Sequence, residues 1–542
     1  MSAGHVQVLI DGQPVYSGLA GVYGLDQVPA GNIERIEIVK GAGSALYGSS
    51  AIAGVINIIT KKPGKKPEIT LTTEFGAHNR NRYSMEASFK SGNRDVILTA
   101  QKNTSDAINE EDKNDAEDLP AVYTDAVKAD DVATGVRINW YDLSGNDQLN
   151  FNGRTLNELR VGGNLTDDSY ENPFSASAEN IATQRYEAGI GYSKTFDNDS
   201  MFSTNLSFAQ HHRSATNDSF LSDYEGIHGT VPPVNEMKPY IADEQLYVSD
   251  INYAYPLLKS HRFLTGVQYS YNRLEESGKY CIVDNTDPDY GKTYLSESEK
   301  HADEIGLYLQ DEVSLRDNLE LVVGGRYDIH KSKDSFGGSG DIKFAKEKIE
   351  LEYDENAFNP RAALKYKPSS NVVLRTSVGT GFRVPYGFSE DLHLCSGSPR
   401  VYKGVDLRPE KSISTNFGVD YNAEKYGLNI SVFRTTLRDK IDFGDAGNAA
   451  KALNYTYQWQ NVGDAYTQGM EFGSRFTPVS DIDLDFNLSY TDAQYDDERQ
   501  DWVVNHPEFA DESKYIPRVP SITGGIKLDY NPGDWKMILD NI

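Results

Sequence analysis

The spacing most suggestive of chemistry lies early, in the run Gly41-Ala42-Gly43-Ser44-Ala45-Leu46-Tyr47-Gly48. Two glycines five apart resemble the start of a phosphate-binding loop, whose backbone N–H groups cradle phosphate oxygens. Such a loop needs a lysine directly after the second glycine, and Ser49 stands there. Nor does Gly41-x-Gly43 continue to a third glycine at the dinucleotide spacing. The glycines are read instead as points where the backbone turns with positive φ and packs closely. His211, His212 and His228 fall in one expected polar loop and are candidate metal ligands. The acidic runs 106–118 and 284–289 are candidates for loop calcium, although neither has the EF-hand glycine and closing glutamate. No His-Glu-x-x-His, Gly-x-Ser-x-Gly or paired-cysteine motif occurs, so neither a nucleophile nor a resident metal can be named and an enzyme is not expected. Cys281 and Cys395 are too far apart for a Cys-x-x-Cys motif. Both fall in expected long loops, where they either form a staple in an oxidising compartment or stay as thiols.

The elements that would position these residues follow from composition and period. With 81 acidic against 53 basic residues the formal charge is −28, which would repel a phosphate backbone and argues against nucleic acid. Hydrophobic residues make up 38% and mean hydropathy is −0.56, yet the chain carries 34 Tyr and 46 Gly, an excess that suits aromatic girdles and close-packed strands. No run of eighteen apolar residues is present, so a membrane reading survives only as a β-barrel with one apolar face. The length of 542 residues is compatible with one large barrel or several domains. The start, MSAGHVQVLIDG, lacks the basic and apolar regions of a secretory signal, so an exported protein is expected to begin upstream of it.

The stretch 61–67 separates two regions. Before it lies a Gly-punctuated α+β segment: a strand at 8–10, a turn at Asp11-Gly12, a mixed stretch at 33–39, a Gly-rich loop with one helical turn, and a buried strand at 55–60. After it, period two dominates. Ile413, Thr415, Phe417, Val419 and Tyr421 alternate with Ser414, Asn416, Gly418, Asp420 and Asn422, and 482–491 repeats the pattern. In a soluble sandwich the apolar face would be the core; in a membrane barrel it would face lipid. Period alone does not choose between them. The connections do. Short turns at 91–93, 197–199, 258–260, 368–370, 423–425 and 531–534 alternate with long polar loops at 103–131, 213–243, 275–301, 331–357, 383–410 and 494–517. Short turns on one rim and long loops on the other are the outer-membrane pattern. Counting from Glu68 gives about eighteen strands and the start of another at Trp535. Single-chain bacterial barrels have even counts, so the C-terminus is expected to be cut short and the sheet left open.

VLIDGQPVYSG followed by IERIEIVKGAGSALYGSSAIAGVINIITKKP resembles the second half of the plug domain of TonB-dependent outer-membrane receptors. DEIGLYLQDEVSL from Asp303, GTGFRVP from Gly379 and NVGDAYTQGMEFG from Asn461 also look like that family, so the resemblance covers nearly the whole chain. The family begins with a signal, a TonB-binding box and the first half of the plug, and ends with an aromatic strand; the chain reads as a fragment lacking both ends. The fold implied is mainly β: a transmembrane antiparallel β-barrel, about 22 strands when complete and about 18 here, with a small α+β plug domain in the lumen. Residues 1–62 would be the C-terminal half of the plug and 68–542 the barrel. The function implied is active uptake of an iron chelate (siderophore) or cobalamin across the outer membrane of a Gram-negative bacterium. A haem receptor, or a barrel serving as adhesin or surface enzyme, is the alternative. Partners would be TonB with its ExbB/ExbD motor, a small metal chelate and outer-membrane lipid, with iron or cobalt arriving only as cargo.

The resemblance also assigns roles. Gly41, Gly43, Gly48 and Gly54 would shape the plug. Arg35 and Glu37 would sit on the plug surface, facing Glu471 on the lumen side of its strand by parity, as a plug-to-wall contact. Tyr16 and Tyr23 would belong to an apical plug loop touching substrate. Arg383, and His393 in the loop that follows it, would lie where haem receptors carry an iron ligand, although Val384 and Leu407-Arg408-Pro409-Glu410 depart from the haem pattern. Arg160, Arg326 and Arg375 would be lumen cations able to attract an anionic siderophore.

Overall fold

The computed structural model describes residues 6–14, 33–41, 48, 51–52, 54–64, 66–107, 127–163, 178–217, 224–230, 240–281, 286, 288–386, 401–499, 507–517, 519–533 and 537–541. Its first sheet is small and mixed. Val6–Ile10 (β1), Gln13–Pro14 (β2), Ile33–Lys40 (β3) and Gly54–Thr60 (β4) are ordered β2-β1-β4-β3, with β1 parallel and β3 antiparallel to β4. Asp11, at φ 50°, and Gly12, at φ 81°, make the turn into β2. The Asp11 carboxylate accepts from Thr60 Oγ1 at 2.6 Å and from Thr60 N at 3.0 Å, tying this turn to the end of β4. Val8, Leu9, Val55 and Ile58 are buried in or beneath the sheet. The expected mixed stretch at 33–39 is a plain strand; most of the expected helical turn lies outside the described residues.

From Glu68–Phe75 (β5) onward the chain winds a second sheet that closes on itself. Among the described residues, besides the three-residue strand Val401–Lys403, nineteen strands follow one another around the ring: eighteen through Ile522–Tyr530, then Met537–Asn541. Each pairs antiparallel with the next, so an odd count makes the closing pair of β5 and Met537–Asn541 run in the same direction. The expectation of an open sheet is therefore corrected. Closure satisfies the edge backbone groups that an open sheet would leave to lipid.

Exposure decides which face is which. Along Glu410–Asn422, Ile413, Phe417 and Tyr421 are 49%, 46% and 40% exposed, whereas Ser412 and Ser414 are 2% and 4% exposed. Along Ile482–Tyr495, Leu484, Phe486, Leu488 and Tyr490 are exposed in the same way. Apolar outside and polar inside is the inverse of a soluble sandwich and suits a lipid-facing barrel. Among the described residues no helix is long and apolar enough to cross a membrane.

The rims differ as expected, with turns such as 92–93, 317–318, 370–371 and 480–481 on one and connections such as 106–127, 218–239, 384–409 and 496–521 on the other. Two expected loops are largely strand. His261–Cys281 and Thr293–Arg316 pair as far as Cys281 with Thr293, and Leu319–Gly340 pairs with Ile349–Ser369 as far as Phe336 with Ile349. Backbone pairing needs no apolar face, so charged strands continue above the lipid band while their side chains exchange ions, as Lys300 does with Glu276 at 2.8 Å. At this rim Tyr294, Phe336, Phe344, Tyr402 and Tyr455 form a separate buried aromatic core, and the fully buried pair Lys403–Asp334 ties Val401–Lys403 to the wall.

Candidate functional site

Polar side chains of the wall converge on β1–β4 in the lumen, whose two sides are built differently. On one side the inner sheet is seated closely. Gly48 lies over the wall at φ 85°, and a Cβ there would stand 2.8 Å from Glu304 Oε1 and 3.1 Å from Arg326 Nη2. Only glycine meets both the backbone angle and the approach. Arg326, 1% exposed, donates to Asp328 at 2.5 Å and to Gln268 at 3.1 Å and stands 3.8 Å from Glu304, whose other oxygen meets His330 Nδ1 at 3.2 Å. A Cβ on Gly41, φ 81°, would lie 2.9 Å from Ser414 Cβ, and Ser412 Oγ donates to Ile52 O at 2.9 Å. Ile52 itself is buried against Leu437, Ala465 and Tyr495.

The other side is looser. A cavity of about 130 Å³ separates Ile10, Ile33, Ile58 and Thr60 of the inner sheet from wall residues including Ile97, Arg154, Glu187 and Ser207. Among the described residues two ion pairs cross nearby: Arg137 Nη1 to Asp11 Oδ2 at 2.9 Å, with a further Arg137 bond to Lys61 O, and Lys61 Nζ to Glu86 Oε2 at 3.8 Å. Higher on the same wall Glu187 holds Arg154 and Arg185, each Nε–O distance being 2.7 Å.

Several expected site residues take other places. Arg35 pairs with Glu37 at 2.7 Å and Glu34 at 3.3 Å on its own exposed strand, while Glu471 accepts from Ser431 Oγ at 3.0 Å. The expected contact between Arg35 and Glu471 is replaced by Arg137–Asp11, because a carboxylate two residues along the same strand face is nearer than the wall. Arg383 is engaged by buried Glu410, its cross-strand neighbour, at 3.0 Å. Gly54 opens β4, where a Cβ would lie 2.7 Å from Val39 O. Arg160 and Arg326 have carboxylate partners in Glu158 and Asp328, and Arg375 pairs with Asp420.

His211 and His212 are in the strand Met201–Asn217 and point to opposite faces: His211 is buried in the wall and His212 meets Asp243 at 2.8 Å. His228 stacks near Tyr224. They do not form a metal site, and among the described residues no group of three or more His, Cys, Asp or Glu is placed to hold a metal. Cys281 is buried against Tyr224 and Ile227. Tyr16, Tyr23, Gly43, His393, Cys395 and most of both acidic runs lie outside the described residues.

Sequence reading missed Arg137, Arg154, Arg185 and Arg213 on the lumen wall, and it placed His211 in a polar loop rather than in the strand Met201–Asn217. The signal was present: Tyr186, Ile190 and Leu206 are exposed on the outer face, so parity turns Arg185, Glu187, His211 and Arg213 inward.

Comparison with known proteins agrees with this architecture. The description "TonB dependent receptor-like, beta-barrel" matches residues 122–541, and "TonB-dependent Receptor Plug Domain" matches residues 1–55. The chain is 23% identical over 539 residues to the ferric enterobactin receptor of Pseudomonas aeruginosa, covering 89% of this chain and 68% of that protein. To the vitamin B12 transporter BtuB of Vibrio vulnificus it is 23% identical over 480 residues, covering 88% and 65%. The chain thus spans about two thirds of the length of these relatives. Among solved structures, a mutant of the ferric enterobactin receptor PfeA from Pseudomonas aeruginosa aligns with TM-score 0.72 at 18% identity, covering 98% of this chain and 76% of that one. The ferric yersiniabactin uptake receptor FyuA from Yersinia pestis aligns with TM-score 0.69 at 15% identity, covering 97% and 74%. A plug sheet inside a closed barrel, with both parts matched in sequence, places the chain in a family of transport receptors rather than enzymes: it belongs to the TonB-dependent receptors.

Proposed function

We propose that this chain serves in the Gram-negative outer membrane as an active uptake receptor for a small metal chelate, either a ferric siderophore or cobalamin. The observation that carries the reading is the plug sheet held inside a polar lumen by one tightly packed wall and one loose wall, within a barrel whose apolar face is turned outward. A passive pore has no use for such an obstruction. Lipid covers the outer face, the long-loop rim faces the medium, and the short-turn rim faces the periplasm. There TonB, driven by the ExbB/ExbD motor, supplies the pull that shifts the plug. The work is mechanical, and the selectivity lies in loops and lumen side chains. Relatives named for enterobactin and vitamin B12 support these two cargo classes.

The test is growth of a receptor-deleted strain, complemented with the full gene, on single ferric chelates under iron limitation and on cobalamin under cobalamin limitation. Rescue by one cargo, lost when TonB is deleted, is the expected result. Equal growth with and without TonB would overturn it.

A further inference from the structure

At the long-loop rim two buried lysine–carboxylate pairs stand side by side, and their surroundings differ. Lys300 on Thr293–Arg316 and Asp334 on Leu319–Gly340 are directly opposite in register, yet each takes another partner. Lys300 Nζ meets Glu276 Oε2 at 2.8 Å, and the other Glu276 oxygen accepts from the Tyr240 hydroxyl at 2.8 Å. Both oxygens of that carboxylate are served by donors, so the pair is able to stay ionised. Lys403, from the short strand Val401–Lys403, meets Asp334 Oδ2, and both side chains are 0% exposed. Asp334 Oδ1 is buried with no hydrogen-bond partner among the described residues. The pocket is aromatic. The Tyr353 ring centre lies 5.5 Å from Lys403 Nζ, and the rings of Tyr402 and Phe336 pack edge to face at 5.8 Å. Burial holds the Lys403 ammonium well below the usual lysine range; Lys300 pushes in the same direction and Glu276 against it.

Two charges in a dry pocket lose their hydration, and their attraction makes up for this only when every oxygen and proton finds a partner. Asp334 does not meet that condition. Moving one proton from Nζ to the carboxylate removes both charges and leaves a neutral amine, with its lone pair free, against a neutral carboxylic acid. We infer that Lys403 and Asp334 are joined by an isopeptide bond that the folded protein forms by itself. Nζ attacks Cγ and the Nζ–Cγ bond forms. One C–O bond of Asp334 breaks, and its oxygen departs as water, carrying the carboxyl proton and one proton from the amine. Nothing is oxidised or reduced, and no co-reactant is consumed. The amide is neutral, so the pocket no longer holds a buried charge on either side chain. The Lys300–Glu276 pair does not react, because two donors keep Glu276 ionised. The bond staples Val401–Lys403 to the barrel wall, so that local opening of the rim cannot release it. This inference does not rest on the uptake reading, since the reaction requires only the folded rim.

The test is peptide mapping of the full-length receptor, purified from outer membranes in detergent, then denatured, digested with trypsin and sequenced by tandem mass spectrometry. The expected product is a branched peptide joining residues 334–343 to residues 401–411, lighter by one water than the two linear peptides together. Trypsin cuts neither after a lysine whose amine is acylated nor between Arg408 and Pro409, which sets those ends. Fragment ions should place the link at Lys403 and Asp334, with near-complete loss of linear 334–343. Lys403→Arg keeps a positive charge to pair with Asp334 but offers no free amine, and it should return linear 334–343 in full. Asp334→Ala should restore cleavage after Lys403. Recovery of linear 334–343 and 401–403 from the wild type overturns the bond and leaves a buried ion pair. A loss of water confined to 334–343, as in a cyclised Asp334, overturns it as well. The wild type alone separates these outcomes, so a variant that fails to fold does not blur them.

Discussion

The two sides of the lumen hold the same small sheet by opposite means. On the side of Thr293–Arg316, Leu319–Gly340 and Glu410–Asn422, glycine backbone presses against wall side chains, Arg326 is fully desolvated among carboxylates, and Ser412 caps a plug carbonyl. On the side of Arg94–Ser105 through Met201–Asn217, a cavity intervenes and the shorter of the crossing ion pairs, Arg137–Asp11, is partly wet, Asp11 being 38% exposed. Packing and desolvation make the first contact stiff, because neither a glycine approach nor a buried ion network has a graded intermediate. Screening makes the second weak, since an ion pair open to water contributes only about 0–1 kcal/mol. A pull on the sheet would therefore separate the cavity side first, with the packed side acting as the pivot.

The sharpest way to break the contrast is Arg326→Met. Removing one partner from this buried network leaves Asp328 and Glu304 uncompensated and should cost about 3–5 kcal/mol, read as a lower denaturation midpoint of the folded barrel. Adding Asp328→Asn should recover part of the loss. Gly48→Val is next: it demands a strained φ and drives a branched side chain into Glu304 and Arg326. A cost of about 1–3 kcal/mol is expected, together with new ion conductance in planar bilayers as the plug loses its seat. Ser412→Ala strands the Ile52 carbonyl and should cost about 1–2 kcal/mol by the same denaturation measurement. The smallest effect belongs to Arg137→Ala, with at most about 1 kcal/mol lost. Its consequence should be local: in that background Ser207→Cys, on the cavity, should react faster with a maleimide, while Ser414→Cys, on the packed side, stays protected. Equal protection of both positions would erase the distinction between the walls.

Much of this was legible before any coordinates. The alternation of Ile413 through Asn422 named both faces of its strand, and the unequal connections named the barrel, because a pleated strand has a period of two whatever surrounds it. Eighteen strands through Tyr530 match the count. What escaped were judgements of distance. His211 and His212 look like neighbouring ligands along the chain, but in a strand consecutive side chains leave on opposite faces. Parity puts Glu471 on the lumen side and the plug segment puts Arg35 at the plug surface, but neither measures the gap between them, and Glu37 stands two residues from Arg35 on the same face. The charged stretches 275–301 and 331–357 looked like loops because they lack an apolar face, yet they pair well above the lipid band through the backbone.

The sequence by itself determined that strands would form, which side of each would meet lipid, and which glycines would bend the plug, since these depend on covalent geometry and on residues a few positions apart. Closure of the barrel, the choice of a packed wall and a loose wall, and the meeting of Lys403 with Asp334 were decided only in three dimensions. Ser412 meets Ile52 across 360 residues of chain, and no local pattern records a contact of that separation. It exists because closing the ring brings every lumen face around one small sheet, and packing then selects which neighbours touch.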